Sequence, residues 1–150
     1  MDKKKAALLA SVVFAAALSG CGGSAGYKDG TYTARSAEYI SGSEAEEESE
    51  ANGYGEVEIT ISGGAVTDCK FVTFQLDGTP KDEDYGKVDG EIKNRDFYNK
   101  AQRARAACDN YAQQLKAKGS LDEVDAISGA TINYNEFKEA VSAALKQAEE

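Results

Sequence analysis

The fold turns on Gly55-Glu56-Val57-Glu58-Ile59-Thr60-Ile61-Ser62-Gly63-Gly64-Ala65-Val66. Val57, Ile59 and Ile61 fall on one side and Glu56, Glu58 and Thr60 on the other, the period of a strand buried on one face. Ser62-Gly63-Gly64 supplies a tight turn, and Ala65 to Leu76 returns as a second strand through Val66, Cys69, Phe71 and Phe74. Val66 and Cys69 are out of phase with simple alternation, which predicts a bulge near Asp68. The hairpin is expected at the centre of an antiparallel sheet.

Upstream, Tyr27 to Ala34 contains Asp29-Gly30 and then Thr31-Tyr32-Thr33, a turn entering a short strand. Ser36 to Asn52 carries Glu44, Glu46, Glu47, Glu48 and Glu50 among small residues and reads as an acidic loop, solvated or disordered. It lacks the Asp/Asn alternation around a central Gly that a calcium loop needs. Downstream, Asp77 to Gly90 is polar, holds the only proline, Pro80, and reads as a loop. Arg95 to Lys118 has no breakers. There Tyr98, Ala101, Ala104, Cys108, Tyr111, Ala112 and Leu115 recur at helical spacing until Gly119 stops it. A last helix is predicted from about Tyr134 to Glu149, with Asn133 as N-cap, Glu136 three residues on, and Phe137, Val141, Ala144 and Leu145 as its apolar stripe. Strands followed by helices predict an α+β fold, a small antiparallel sheet covered by two main helices.

The N-terminus reads as an address. Three lysines, Lys3 to Lys5, precede an apolar core from Ala6 to Leu18, too short to span a bilayer but suited to a secretory signal. Leu18-Ser19-Gly20-Cys21 resembles a bacterial lipobox, which makes Cys21 the acylated N-terminus of the mature chain and residues 1–20 a cleaved signal. Residues 21–26 become a Gly/Ser tether, and residues 27–150 one domain. Cys69 and Cys108 remain, either paired or as two buried thiols.

Composition narrows the chemistry. The 150 residues include no His and no Trp, so no imidazole base and no His-liganded metal is available. The formal charge is −9, and cleavage of the signal removes a net +2 and leaves −11. That balance argues against nucleic acid as a partner and against an electrostatic hold on an anionic membrane. Arg95, Lys100, Arg103 and Arg105 form a local basic run, expected as a solvated helix face.

Ser128-Gly129-Ala130-Thr131 stands just ahead of the last helix. Free N–H groups and the positive dipole end suit an anion there, and the same residues also suit a plain helix cap. Asp125-Ala126-Ile127-Ser128-Gly129-Ala130-Thr131 resembles the D-x-x-S/T-G-A-T flavinylation motif of the FMN-binding domain family. That family includes the C subunit of the sodium-pumping NADH:quinone oxidoreductase, the G subunit of the Rnf complex and small surface flavolipoproteins. The resemblance extends from Asp29 to Leu145, with Asp29-Gly30-Thr31-Tyr32 as the opening strand and Gly55 to Phe71 as the hairpin. It departs from the family in two places. Ile132 follows the motif where Ser or Thr is common, and Thr79-Pro80 is separated from Tyr85-Gly86 by Lys81-Asp82-Glu83-Asp84 where a compact T-P-G-x-G loop is common.

The resemblance implies covalent FMN on Thr131 through a phosphoester, with Asp125, Ser128, Gly129 and Ala130 as the recognition and placement segment. It implies a flavin transferase using FAD and magnesium as the modifying partner. Among the eight tyrosines, which in strands are usually packing residues, Tyr85 is the candidate for a ring that stacks on the isoalloxazine. No catalytic residue of the chain's own and no metal is expected. The expected protein is lipid-anchored through Cys21 on the extracytoplasmic face of the cell membrane. It would carry electrons from a membrane redox donor to an extracellular acceptor, as a carrier more than a stand-alone enzyme. The alternatives are a non-redox surface binding or adhesion lipoprotein with an unused motif, its acidic segment the contact surface, and a small subunit of a larger membrane oxidoreductase.

Overall fold

Alternation along the central strand builds the sheet. In a computed structural model, which describes residues 26–42 and 51–149, strands β1 (Gly30–Arg35), β2 (Tyr54–Ser62) and β3 (Ala65–Phe74) pair antiparallel in the order β1-β2-β3. The signal segment, Cys21 and the acidic run Glu44 to Glu50 lie outside the described residues. Val57, Ile59 and Ile61 of β2 are buried, while Glu56 and Glu58 are exposed on the opposite face. One face is therefore solvated, as an antiparallel sheet permits. On that outer face Arg35 sits 4.0 Å from the Tyr54 ring centroid, and Tyr54 stacks on Phe74 at 5.4 Å.

The hairpin turns through Gly63 and Gly64, with φ of 63° and 78°. Two consecutive positive φ angles match the twist of the flanking strands and suit glycine. The ladder slips between Thr60 and Ile61: Thr60 faces Asp68 and Ile61 faces Val66, which leaves Thr67 as the extra residue. The bulge expected near Asp68 is thus one residue away, and the returning strand ends at Phe74, not Leu76.

Helix α1 (Arg95–Lys118) starts where Asn94 Oδ1 accepts from the Phe97 N–H and ends at Gly119, φ 74°. It packs on β3, and α2 (Thr131–Glu149) packs on β1 and β2. Between them Leu121–Glu123 forms one 3₁₀ turn. Phe137 lies at the centre of the core, 5.0 Å edge-on from Phe71 and 5.7 Å stacked on Tyr111. Leu115, Val141, Ala140 and Ala144 close around them with no exposed surface. This is the α+β fold, with two helices on one face of a three-stranded antiparallel sheet.

Two local expectations fail. Helix α2 begins at Thr131, not Tyr134, because the Tyr134 N–H already bonds the Ala130 carbonyl at 2.9 Å. Asn133 is therefore not a cap: its amide donates to the Ala104 carbonyl of α1 at 3.2 Å. Glu136 is not part of a capping box either. It lies beside Phe137 on the buried side of the helix, 4% exposed.

Candidate functional site

The segment from Asp125 to Thr131 is held from beneath by α1. Gln114 reads the Asp125 backbone both ways, accepting from its N–H at 2.8 Å and donating to its carbonyl at 3.2 Å. Lys118 donates to the Glu123 carbonyl at 2.6 Å and the Asp125 carboxylate at 3.1 Å. One turn earlier on α1, the buried Tyr111 hydroxyl accepts from the Ile127 N–H at 2.9 Å and donates to the Ala130 carbonyl at 3.1 Å. The Ala130 N–H closes the turn on the Ile127 carbonyl at 3.0 Å, with Gly129 at φ 84° in its third position. A turn of that form needs a residue that tolerates positive φ, and a Cβ added at Gly129 would meet no atom within 4 Å.

The result is a rigid, solvent-facing ledge. Asp125, Ser128, Gly129 and Thr131 are exposed, while Ala130 is buried. Ala130 occupies the N-cap position but has no side-chain oxygen, so it offers the first N–H groups of α2 no side-chain cap. The Asp125 carboxylate is 86% exposed and its pair with Lys118 is a surface one.

Thr131 stands at the rim of a cavity of about 540 Å³ that runs between the start of α2, the N-terminal half of α1 and the 79–87 loop. That volume suits a cofactor-sized ligand. Tyr39, Tyr85 and Phe97 contribute rings, and Lys81, Lys100 and Arg105 contribute positive charge. Arg105 also pairs with Glu83 at 3.6 Å. Ala101, buried as the stripe predicts, and the half-buried Ala104 give the cavity a smooth wall. Of the basic run, Lys100 and Arg105 line the cavity, so it is not wholly a solvated face. Arg95 and Arg103 are exposed as expected.

The loop separating Thr79-Pro80 from Tyr85 is shaped by α1. Gln102 donates to the carbonyls of Asp82 at 3.0 Å and Tyr85 at 3.1 Å, and the Tyr98 hydroxyl donates to the Glu83 carbonyl at 2.9 Å. The Lys81 N–H bonds the Thr73 carbonyl, which extends the sheet edge. Of the inserted residues, Asp82, Glu83 and Asp84 are exposed, while Lys81 reaches the cavity together with Tyr85, its ammonium 5.3 Å from the Tyr85 ring centroid. At the opposite rim, Tyr39 and Gly53 bond each other's backbone at 2.6 and 3.0 Å, which clamps the two ends of the acidic excursion at the cavity mouth.

Two buried charged side chains that the sequence pattern did not mark lie here, Lys81 on the cavity wall and Glu136 outside its lining. Lys81, only 9% exposed, donates to the Ala51 carbonyl. Glu136 is buried, and its two carboxylate oxygens have no hydrogen-bond partner. Loss of water pushes the Glu136 carboxyl up to about 7, against the pull of Lys81 and with the repulsion of Glu139. Cys69 and Cys108 are free thiols, each pushed up to about 12, chiefly by burial.

Sequence reasoning missed Lys81, Glu136 and the Tyr111–Gln114–Lys118 support. Lys81 stood in a loop, Glu136 imitated a capping box, and Tyr111 matched an apolar stripe. A signal was present for Tyr111: a tyrosine on a core stripe must find a partner for its hydroxyl.

The FMN-binding domain family matches residues 36–146. No curated protein matches the chain. Among solved structures, the crystal structure of a protein from Clostridium perfringens is similar, with 25% identity and a TM-score of 0.58, covering 82% of this chain and 89% of that one. A solution structure from Clostridium thermocellum shares 22% identity over 82% of this chain and 93% of that one, with a TM-score of 0.42.

Proposed function

The chain belongs to the FMN-binding domain family, and from that premise we propose that it carries FMN covalently on Thr131 and serves as a membrane-anchored, extracytoplasmic electron-transfer flavoprotein. The observation that carries the reading is the position of Thr131: exposed, first residue of α2, on the rim of a cavity lined by aromatic rings and three cations.

The residues present fit FMN. An exposed hydroxyl at an alanine-capped helix start suits a phosphoryl group, since N–H groups and the helix dipole face it. Lys100 and Arg105 add charge for the same group, and Tyr39, Tyr85 and Phe97 offer faces for a flat ring. Attachment forms a bond from Thr131 Oγ1 to the FMN phosphorus of FAD. The pyrophosphate bond breaks, AMP leaves, and the hydroxyl proton passes to the transferase or solvent. Asp125, Ser128, Gly129 and Ala130 would present the hydroxyl to a flavin transferase using FAD and magnesium, and their rigidity lowers the ordering cost of that docking. When bound, FMN supplies one- and two-electron chemistry that none of this chain's side chains offers. The chain's own part is to hold the cofactor, orient it and set its electrostatic surroundings.

Among the described residues no helix is long and apolar enough to cross a membrane. Membrane attachment in this reading rests on acylation of Cys21, with a membrane redox donor on one side and an extracellular acceptor on the other.

The test is co-expression of the chain with a flavin transferase. Denaturing electrophoresis should give a fluorescent band, intact mass should rise by one FMN less water, and Thr131→Ala should abolish both. An unmodified wild-type chain beside a transferase that labels a control substrate overturns the reading.

A further inference from the structure

Glu136 is the residue to explain. Among the described residues it alone has buried side-chain oxygens that meet no hydrogen-bond donor. Other buried polar side chains have partners: the Ser36 hydroxyl accepts from the Gly55 N–H at 3.0 Å, and Lys81 donates to Ala51. A buried carboxyl without donors is costly if charged, so its position needs a reason.

Two glycines at the start of β2 show where it lies: a Cβ at Gly55 would meet the Phe71 ring first, at 2.5 Å, and one at Gly53 the Phe74 carbonyl oxygen, at 2.0 Å, with Glu136 and Lys81 next. A Cβ at Gly55 would lie 3.3 Å from the Glu136 Cβ, and a Cβ at Gly53 would lie 3.1 Å from the Lys81 Nζ. Residues two apart on an extended chain sit about 6–7 Å from each other. The carboxyl side chain and the ammonium therefore occupy adjoining places against one stretch of backbone. Thr73, opposite Gly55 in the ladder and buried, lines the cavity on that wall. The groups facing Glu136 are Lys81 from the loop, Glu139 from its own helix and the Cys108 thiol from α1. Only Lys81 favours the ionised carboxyl, and Lys81 also lines the cavity.

We propose that Glu136 is the proton-holding residue of the site: when an anionic ligand enters the cavity beside Lys81, Glu136 takes up one proton from solvent. The ammonium that favours the Glu136 carboxylate is then shared with the ligand's charge, and the uncompensated buried carboxylate protonates instead. Because burial already holds this carboxyl at about 7, the uptake occurs near neutral pH. Anion affinity falls as pH rises through that region. The inference deepens the flavin-carrier reading, since a phosphoryl group is such an anion, but it does not depend on the covalent bond.

The test uses the full-length chain made without a transferase and shown by intact mass to be unmodified. It is titrated separately with free FMN and with sulfate, which stays dianionic throughout, by calorimetry in two buffers of different ionisation enthalpy. At pH 7.5 the wild type should take up roughly 0.3–0.8 proton per bound ligand, and its sulfate affinity should fall up to about tenfold from pH 6.5 to 8.5. Glu136→Gln should bind sulfate with no proton uptake and no pH dependence over the same range. A second measurement needs no variant: the Glu136 side-chain carbon signal in the wild type should titrate near neutrality and move to higher pH when sulfate is added. Binding without uptake, unchanged uptake in Glu136→Gln, or no binding of either anion overturns the proposal. Flavinylation of Thr131 is read by mass in a separate co-expression, so either result can fail while the other stands.

Discussion

The Tyr111 hydroxyl donates to the Ala130 carbonyl at 3.1 Å while accepting from the Ile127 N–H at 2.9 Å. One buried phenol on α1 thus grips both ends of the Ile127–Ala130 turn and sets where α2 begins. The exposed hydroxyl of Thr131 is placed by a core residue that never reaches the cavity itself.

Tyr111→Phe keeps the ring packing on Phe137 and removes both hydrogen bonds. Leaving the Ile127 N–H unpaired, with the Ala130 carbonyl keeping only the Tyr134 N–H, should cost about 1–3 kcal/mol. Urea denaturation should show the loss, and the rate of FMN attachment to Thr131 should fall severalfold in a mass time course. Unchanged attachment would mean that the turn holds its shape without the phenol.

Substitutions at Gly129 should rank by their tolerance of positive φ, because an added side chain meets open space at a φ of 84°. Asn should be mildest, Ala intermediate at about 1–2 kcal/mol, and Val worst. Thermal unfolding checks the order, and flavinylation yield should follow it. An Ala variant equal to wild type would show that the turn relaxes freely.

Glu136→Gln should remove a pH dependence of stability. A carboxyl raised in the folded state to about 7 from the ordinary 4.5 makes the unfolded chain the weaker proton binder between those values. Stability therefore falls as pH rises from about 4.5 to 7 and levels off above, a change of roughly 3 kcal/mol from this one group. Urea melts across that range should show the wild type converging on or falling below the variant as pH rises. A constant difference would remove Glu136 as the titrating group.

In a Cys21→Ala chain the two thiols of the described residues, Cys69 and Cys108, should be unreactive in the native state. Burial pushes Cys69 and Cys108 to about 12, and Asp68 adds to the effect at Cys69. The thiolate fraction at pH 8 is then about one in ten thousand, so labelling by a disulfide reagent should be at least a hundredfold slower than in urea. Equal rates in the two states would show that one of the cysteines is open to solvent.

The hairpin and both long helices could be read because each is specified locally. Period-two alternation identified β2, consecutive glycines the turn, and an unbroken helical stripe ending at Gly119 gave α1 to the residue. The start of α2 could not be read this way. Asn133 and Glu136 have the spacing of a capping box, but a box forms only if the chain has not already turned, and Tyr111 from another helix turns it earlier. The basic run had the same ambiguity. Lys100 and Arg105 look like any solvated charges until α1, the start of α2 and the 79–87 loop come together and place them on the cavity wall.

The sequence by itself determined the α+β class, the strand and helix order, and the seven residues Asp125 to Thr131 that resemble a flavin-attachment motif. These depend on local periodicity, turn residues and a contiguous pattern. Only the tertiary structure decided what surrounds Thr131: the cavity, the cations and rings on its walls, and the buried Glu136 outside its lining. Those groups come from separate segments, and their burial and charge arise only when the sheet and helices exclude water between them.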